Sequence, residues 1–378
     1  MTTICIIIMC KDEEHCILET LESTLPYATE YIICDTGSTD NTINVCENFF
    51  KNNNIKGQIF HHEWKNFGYN YTILYQLGHT HSKSEYLWQI DADDLVCGKM
   101  DIGNLTKDWY MLKFGKDFIY ERKQILKNTI EWKHVGVIHG YIDIADENIK
   151  PSAGKIGGNY YIDSRRLSSR HKNKTGTERF AEDAKILEQG LIEEPNNTRY
   201  MFYLAQCYFD SHQYKKSQKA YQKRVDADGW EEEVYYSRYR IAQCYQNLHK
   251  ENKEIIEKFL ECYHKHPDRA EPIFAIAMKY YNSGIWKPAK RYFKLASSIP
   301  FPADKVLFQT KSIYDYQALY YLAKTYKKLG KFNKALDICN QLTNKDIDNI
   351  SKFNLRDMKQ NCEKQIKYQD DYLTKITV

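Results

Sequence analysis

The sequence predicts two architectures in one chain: an α/β domain on a mostly parallel sheet, followed by an all-α domain of repeated helices. Three observations predict this. Short apolar runs alternate with longer amphipathic stretches in the first half, a pentapeptide pattern recurs four times in the second, and acidic residues gather directly behind apolar runs at positions 11–13, 35 and 91–94. A length of 378 residues suits two domains of ordinary size better than one core.

Taken in order, ICIIIM at 4–9, YIIC at 31–34, QIF at 58–60 and YLWQI at 86–90 read as strands. Between them, stretches such as 14–25 and 41–50 repeat apolar residues three or four apart, the spacing of a helix with one buried face. The pattern βαβαβαβ implies a largely parallel, Rossmann-like sheet with helices on both faces. A strand covered on both faces is continuously apolar, as ICIIIMC is.

From about Ala181 the chain reads as helix only, and it repeats. LAQCY at 204–208 returns as IAQCY at 241–245, IAMKY at 276–280 and LAKTY at 322–326. The first two intervals are 37 and 35 residues. Each unit carries a second helix (YKKSQKAYQKRV, NKEIIEKFLECYHKHP, WKPAKRYFKLASSIP, FNKALDICNQL), and two of these end in a proline that prevents continuation. A period near 34, small residues at helix crossings and Tyr at fixed offsets resemble the tetratricopeptide repeat. A generic bundle would not reproduce one pentapeptide four times. The longer last interval holds SSIPFPADKVLFQTKSIYDY, read as an inserted loop. The domains are expected at 1–178 and 179–378.

Bulk composition excludes several functions. A net charge of +4 over the whole chain argues against the basic face of a nucleic-acid binder. No segment approaches the ~20 apolar residues of a membrane span. The start, MTTICIIIMCKDEE, has no basic leader and stops at a charge cluster, so it reads as a strand rather than a signal peptide. Eleven cysteines, mostly within apolar runs and without CxxC spacing, read as reduced thiols of a cytoplasmic protein.

The acidic knots carry the chemistry. Ligands of open α/β sheets bind beyond the carboxyl ends of the strands, which is where Lys11-Asp12-Glu13, Asp35 and Asp91-Ala-Asp93-Asp94 fall. Grouped carboxylates repel unless a cation or donors compensate them. Mg²⁺ or Mn²⁺ held by one or two carboxylates, water and phosphates is the natural compensation. In DADD, Asp91 and Asp93 point one way if extended, with Asp94 opening a turn. In DTGSTDNT, Gly37 permits a turn and Ser38, Thr39 or Asp40 can cap the next helix. Asp35, at the strand's last residue, is left available to a ligand.

IMCKDEEHCILETLES, EYIICDTGSTDNT, WKNFGYNYT and YLWQIDADD, in this order and spacing, together resemble family 2 glycosyltransferases of the GT-A architecture. Members carrying C-terminal tetratricopeptide repeats are the nearest likeness, and EEPNNTRYMFYLAQCYFD and GWEEEVYYSRYRIAQCY extend it over nearly the whole chain. The resemblance implies an inverting, metal-dependent enzyme that uses a nucleotide sugar, a UDP-sugar first among donors, and a protein or glycan acceptor docked on the repeats. Homo-oligomers through the repeats are compatible with it. It implies that Asp35 binds the nucleotide base, with Met9, Lys11, Asp12 and Glu13 as the other wall. Asp91 would serve the ribose or the metal shell, and Asp93 the metal, Mn²⁺ or Mg²⁺, and diphosphate. Arg166 and Arg170, in a basic group with Arg165, His171 and Lys172, would contact the diphosphate.

Two positions depart from the family pattern. In EWKHVGVIHGYIDIAD the family has Glu where this chain has Gly140, and in NFGYNYT relatives carry Arg where this chain has Tyr71. An inverting displacement needs a general base opposite the diphosphate. Asp143 is the nearest substitute, with Asp94 and Asp146 behind it, although VIHGYIDI as one extended strand would put 139, 141 and 143 on a common face away from 140. A turn at Gly140 would reorient Asp143. The rival reading is a pseudoenzyme: a repeat scaffold that keeps a nucleotide site without turnover. A nucleotidyltransferase would need a Gly-rich phosphate loop near the N-terminus, and the sequence has none there.

Overall fold

The computed structural model describes residues 2–116, 120–165, 167–169, 174–305, 307–343 and 349–376. Two units emerge, residues 1–195 and 196–378. The division falls later than the expected 178/179, because the helix α4 (Gly176–Glu193) belongs with the first unit.

The first unit is built on β1 (Ile4–Cys10), β2 (Glu30–Asp35), β3 (Lys56–His61) and β4 (Tyr86–Gln89), paired in parallel in the order β3-β2-β1-β4. The helices α1 (Ile17–Thr24), α2 (Thr42–Asn52) and α3 (Phe67–His81) connect them. Alternate residues of β1 serve two cores. Ile4, Ile6, Ile8 and Cys10 pack with Ile17 and Leu21 of α1 and Phe49 and Phe50 of α2. Cys5 and Ile7 pack on the other face with Leu74 and Tyr75 of α3. Burial of both faces is what fixes a continuously apolar strand.

The sheet then continues in a way that period-2 reading did not foresee. β5 (Asp94–Asp101), β6 (Trp109–Phe114), β7 (Tyr120–Lys127) and β11 (Gly157–Ser164) extend it to β3-β2-β1-β4-β7-β6-β11-β5, and β10 (Ala153–Lys155) pairs with β6. The β4–β7, β6–β7 and β11–β5 pairs are antiparallel, so the sheet is mixed. A separate hairpin joins β8 (Trp132–Val135) to β9 (Tyr141–Ile144). The expected single strand through 137–144 is therefore broken, with His139 at φ +51° in the turn.

The second unit pairs helices as the pentapeptides require. α5 (Thr198–Asp210) and α6 (Tyr214–Asp226), α7 (Glu231–Asn247) and α8 (Asn252–Lys265), α9 (Glu271–Asn282) and α10 (Trp286–Ala296), and α11 (Ala318–Lys328) and α12 (Phe332–Leu342) are followed by α13 (Asn349–Ile376). The alanines of the pattern, Ala205, Ala242, Ala277 and Ala323, are fully buried, which lets neighbouring helices approach. Among the described residues no helix is long and apolar enough to cross a membrane. All eleven cysteines are free thiols.

The inserted segment between α10 and α11 is tied to the solenoid by a buried ion pair. Arg269 and Glu271 are 2% and 3% exposed at the side chain and meet at 3.2 Å. Glu271 also accepts from the Tyr314 hydroxyl at 2.6 Å and the Thr310 amide at 3.2 Å, while Arg269 lies 4.0 Å over the Tyr235 ring. Arg269→Met should lower stability by about 3–5 kcal/mol, since it strands a buried carboxylate. The double variant Arg269→Met/Glu271→Leu should recover much of that loss; thermal or urea unfolding in which the double variant is no better than the single would refute the account.

Candidate functional site

Parallel register brings the acidic loops together. Cys10 lies beside Asp35 and Ile7 beside Gln89, so the loops after β1, β2 and β4 share one sheet edge. The first two loops are stitched by reciprocal hydrogen bonds. The Thr39 amide donates to Asp12 Oδ1 at 2.7 Å, the Asp12 amide to Ser38 Oγ at 3.0 Å, and the Glu13 amide to Thr42 Oγ1 at 2.7 Å. The Glu14 amide donates to Asp40 and the Asn41 amide to Glu14, at 3.2 and 2.9 Å. Backbone donors thus compensate much of the negative charge, and Asp12 takes φ +55° to permit it.

Asp35 is bonded to its own loop and to His61. One oxygen accepts from the Ser38 hydroxyl at 2.5 Å and amide at 3.0 Å; the other accepts from the Gly37 amide at 3.3 Å and faces His61 Nδ1 at 3.0 Å. Burial alone would raise its pKa, but these bonds outweigh it and hold the carboxyl below its ordinary value. Gly37, at φ +105°, supplies the left-handed corner the turn requires. Its neighbour Thr36, not Asp35, lines the cleft described below.

DADD forms a turn, with the Asp94 amide donating to the Asp91 carbonyl at 3.1 Å, and Asp94 begins β5 instead of opening a bend. Thr20 of α1 holds the turn through the Ala92 and Asp94 carbonyls at 2.7 and 2.8 Å. Because Asp94 pairs with Ser164, the chain leaving β11 crosses this turn. Arg165 Nε donates to the Asp93 carbonyl at 2.9 Å while its guanidinium pairs with Glu19. The amides of Leu167 and Ser168 donate to Asp93 Oδ2 at 2.7 and 2.9 Å, and the Ser169 amide donates to Glu13 at 3.1 Å. Among the described residues no hydrogen bond is made to Asp93 Oδ1. Burial pushes the Glu13 carboxyl up, with the Cys16 thiol and Ser169 amide opposing it.

Asp91 is held by two groups. The Tyr71 hydroxyl donates to Oδ1 at 2.6 Å, and the Arg122 guanidinium stands 3.6 Å from Oδ2. Arg122 arrives because β7 runs antiparallel to β4 with Trp88 opposite Ile125, so that Asp91, three residues past Trp88, comes near Arg122, three residues before Ile125. A cation beside Asp91 is thus supplied by strand β7, while Tyr71 of α3 supplies a hydroxyl.

Gly140 is closed off as well. A Cβ there would lie 2.3 Å from both the Val135 carbonyl oxygen and the His134 ring. His134 packs 5.1 Å from the Tyr71 ring, and among the described residues its buried Nδ1 makes no hydrogen bond of standard geometry. Burial lowers the His134 pKa to about 4, so the imidazole is neutral.

These elements enclose a cleft of about 570 Å³. Met9, Lys11, Asp12, Glu13, Asp91 and Asp93 line it, as the sequence suggests, opposite Trp64, Phe67 and Tyr71. Asp94 does not line it. It is 1% exposed, among the described residues its carboxyl oxygens make no hydrogen bond of standard geometry, and burial, then Asp91, raises its pKa well above the ordinary value despite Ser164 nearby. Asp143 does not line it either. Ile142 and Ile144 turn into the core and leave Asp143 on the opposite face of β9, capping the Ile144 amide at 2.9 Å. Asp146 is exposed and closes a turn with Asn148. Arg166 and Arg170 lie outside the described residues. Sequence reading missed Arg122, the amides of 167–169, and Lys174 and Glu182 at the α4 wall; Arg165 and its basic neighbours were the one signal of that segment.

Two outcomes follow from the packing. Gly140→Glu should not restore the family carboxylate but lower stability by about 1–3 kcal/mol, because the backbone oxygen at 2.3 Å cannot rotate away; an unchanged melting temperature would contradict this. Between pH 6.5 and about 4 the unfolded state holds more protons on His134 than the native state does. Stability therefore falls as pH drops through that window, by on the order of 3 kcal/mol at most. His134→Gln should flatten this acid slope in urea unfolding, and an identical slope would exclude His134 as its source.

Two family models match segments of the chain. Residues 5–109 match the Glycosyl transferase family 2 model, and residues 317–346 match a Tetratricopeptide repeat model. Among solved structures, the C-terminal part of a TPR repeat-containing protein from Cytophaga hutchinsonii is 15% identical with a TM-score of 0.35; the match covers 43% of this chain and 58% of that one. MamA is 13% identical with a TM-score of 0.34 over 55% of this chain and 99% of that one. YrrB, described as a TPR protein with an unusual peptide-binding site, is 14% identical with a TM-score of 0.34 over 48% and 84%. No curated protein matches significantly. The chain thus joins a family 2 glycosyltransferase segment, which contains Asp35, Asp91 and Asp93, to C-terminal tetratricopeptide repeats.

Proposed function

We propose that the protein is an inverting glycosyltransferase that moves a sugar from a nucleotide sugar, a UDP-sugar first among donors, to a protein or glycan acceptor. The observation that carries this reading is the pair Asp91 and Asp93 opening on a cleft of about 570 Å³ within the family 2 segment. That volume suits a ligand of nucleotide-sugar size. Met9, Lys11 and Thr36 form the wall toward the nucleoside, and Trp64 and Phe67 offer flat faces to a sugar ring.

The residues fit a hard divalent cation. Among the described residues Asp93 Oδ1 is unengaged while the Leu167 and Ser168 amides fix its other oxygen, and Asp91 is oriented by Tyr71 and Arg122. When bound by these two carboxylates, Mg²⁺ or Mn²⁺ would supply Lewis-acid assistance to the departing nucleoside diphosphate. Tyr71 and Arg122 keep the Asp91 charge directed, and Lys11 adds positive charge at the rim. Glu182, the cleft carboxylate outside the strand-end loops, takes the acceptor proton; it is half-exposed and pairs with Lys174 at 2.7 Å.

A second reading, a nucleotide-binding scaffold without turnover, draws on Gly140, where packing against His134 leaves no room for the family carboxylate. A panel of UDP-, GDP- and dTDP-sugars, assayed for metal-dependent release of nucleoside diphosphate and for thermal stabilisation, separates the two. Release with stabilisation supports the enzyme, and stabilisation alone supports the scaffold. Asp93→Asn should abolish metal-dependent release without lowering the melting temperature. Glu182→Gln should slow transfer roughly 10²–10⁴-fold with nucleotide binding unchanged. Full turnover in chelator would remove the metal from the mechanism.

A further inference from the structure

The second unit holds a cavity of about 520 Å³ whose charge is unbalanced. Lys324, Lys327 and Lys328 line it, and their i, i+3, i+4 spacing places all three on one face of α11. Asp357 is the one carboxylate in the wall, yet among the described residues no carboxylate oxygen lies within 4.0 Å of any of the three ammonium groups. Aromatic faces stand in for anions instead. The Lys324 nitrogen is 5.2–5.8 Å from the ring centroids of Tyr281, Tyr320 and Tyr321, and that of Lys328 is 5.8 Å from Trp286. Burial, then Lys328 and Lys327, lowers the Lys324 pKa, so the charges are in mutual conflict.

Facing α11 across the cavity, α13 presents Asn354, Asn361 and Gln365. Amides cannot neutralise lysines. They offer paired donors and acceptors, the groups that read hydroxyls. Ammonium groups, rings and amides around one cavity of this size match a ligand with an anionic group, a flat apolar face and several hydroxyls.

We propose that this cavity binds an anionic saccharide, its phosphate or carboxylate on Lys324, Lys327 and Lys328 and its ring against Tyr281 and Phe332. The choice of a saccharide over other anions rests on the glycosyltransferase reading, and the ligand is the acceptor or part of it. The anion site itself stands on the charge imbalance alone.

Calorimetric titration of the full chain, without donor or metal, tests this with glucose 6-phosphate, glucuronate, glucose, inorganic phosphate and an acidic peptide. Binding of glucose 6-phosphate or glucuronate at least tenfold tighter than glucose, weakened by added salt, is the expected result. The tighter of the two identifies a phosphate or a carboxylate as the anionic group. Lys324→Gln/Lys328→Gln should cost at least tenfold in that affinity while leaving the melting temperature and UDP binding unchanged. Equal binding of glucose, binding insensitive to the double variant, or a peptide or bare phosphate bound more tightly than either sugar would overturn the proposal. A chain that binds the anionic sugar but no nucleotide keeps this site and loses the glycosyltransferase reading; one that binds nucleotide but no anionic sugar does the reverse.

Discussion

Carboxylates crowded at one sheet edge must be compensated, and the first unit is arranged around that constraint. Parallel pairing of β1, β2 and β4 is driven by the apolar strands, which gain by burial on both faces. The same pairing forces three acidic loops into one place. The first two loops answer largely with each other's amides: the Thr39 amide serves Asp12, the Glu14 amide serves Asp40 and the Asn41 amide serves Glu14, while the Ser38 amide serves Asp35 within its own loop. At the third loop the compensation comes from far along the chain, as amides of 167–169 and the guanidinium of Arg122. A backbone N–H costs no side-chain entropy and carries no net charge, so it compensates a carboxylate without closing the site to a cation.

The two departures from the family pattern have one structural explanation. Tyr71 and His134 pack against each other beside Asp91, and His134 fills the space over Gly140. Arginine at 71 would bring a second cation beside Arg122, and any side chain at 140 would displace His134. The substitutions are coupled through shared volume, with Arg122 restoring the charge at Asp91 from β7.

How much of this was legible follows from range. The parallel strands and helices of residues 4–90 could be read because each carries its own periodicity, and the helix pairs because LAQCY and its relatives repeat their packing alanines. β7, YERKQILK, has four consecutive polar residues after Tyr120 and gives no alternation that marks a strand. Arg122 within it looks like any solvated arginine until β4 lies beside it. The partners of Asp35 were hidden for a related reason: its position at a strand end points to a ligand, whereas Gly37, Ser38 and His61 are brought to it by the loop's three-dimensional path. Backbone amides such as those of Leu167 and Ser168 have no sequence signature at all.

The same asymmetry bears on what Asp93 can do. A free carboxylate rotates, and its two oxygens compete equally for a cation. Here one oxygen is fixed by two amides at 2.7 and 2.9 Å, and the peptide carbonyl behind it is clamped by Arg165 at 2.9 Å. The remaining oxygen is thereby directed before any ligand arrives, and the ordering entropy is met on folding rather than on binding. On the glycosyltransferase reading this is preorganisation for the diphosphate end of the donor. On the scaffold reading the same bonds serve to close a turn of three aspartates, and a nucleotide would gain little from Asp93. The oriented oxygen suits a cation or a ligand hydroxyl, and what divides the two readings is whether a ligand held there is turned over.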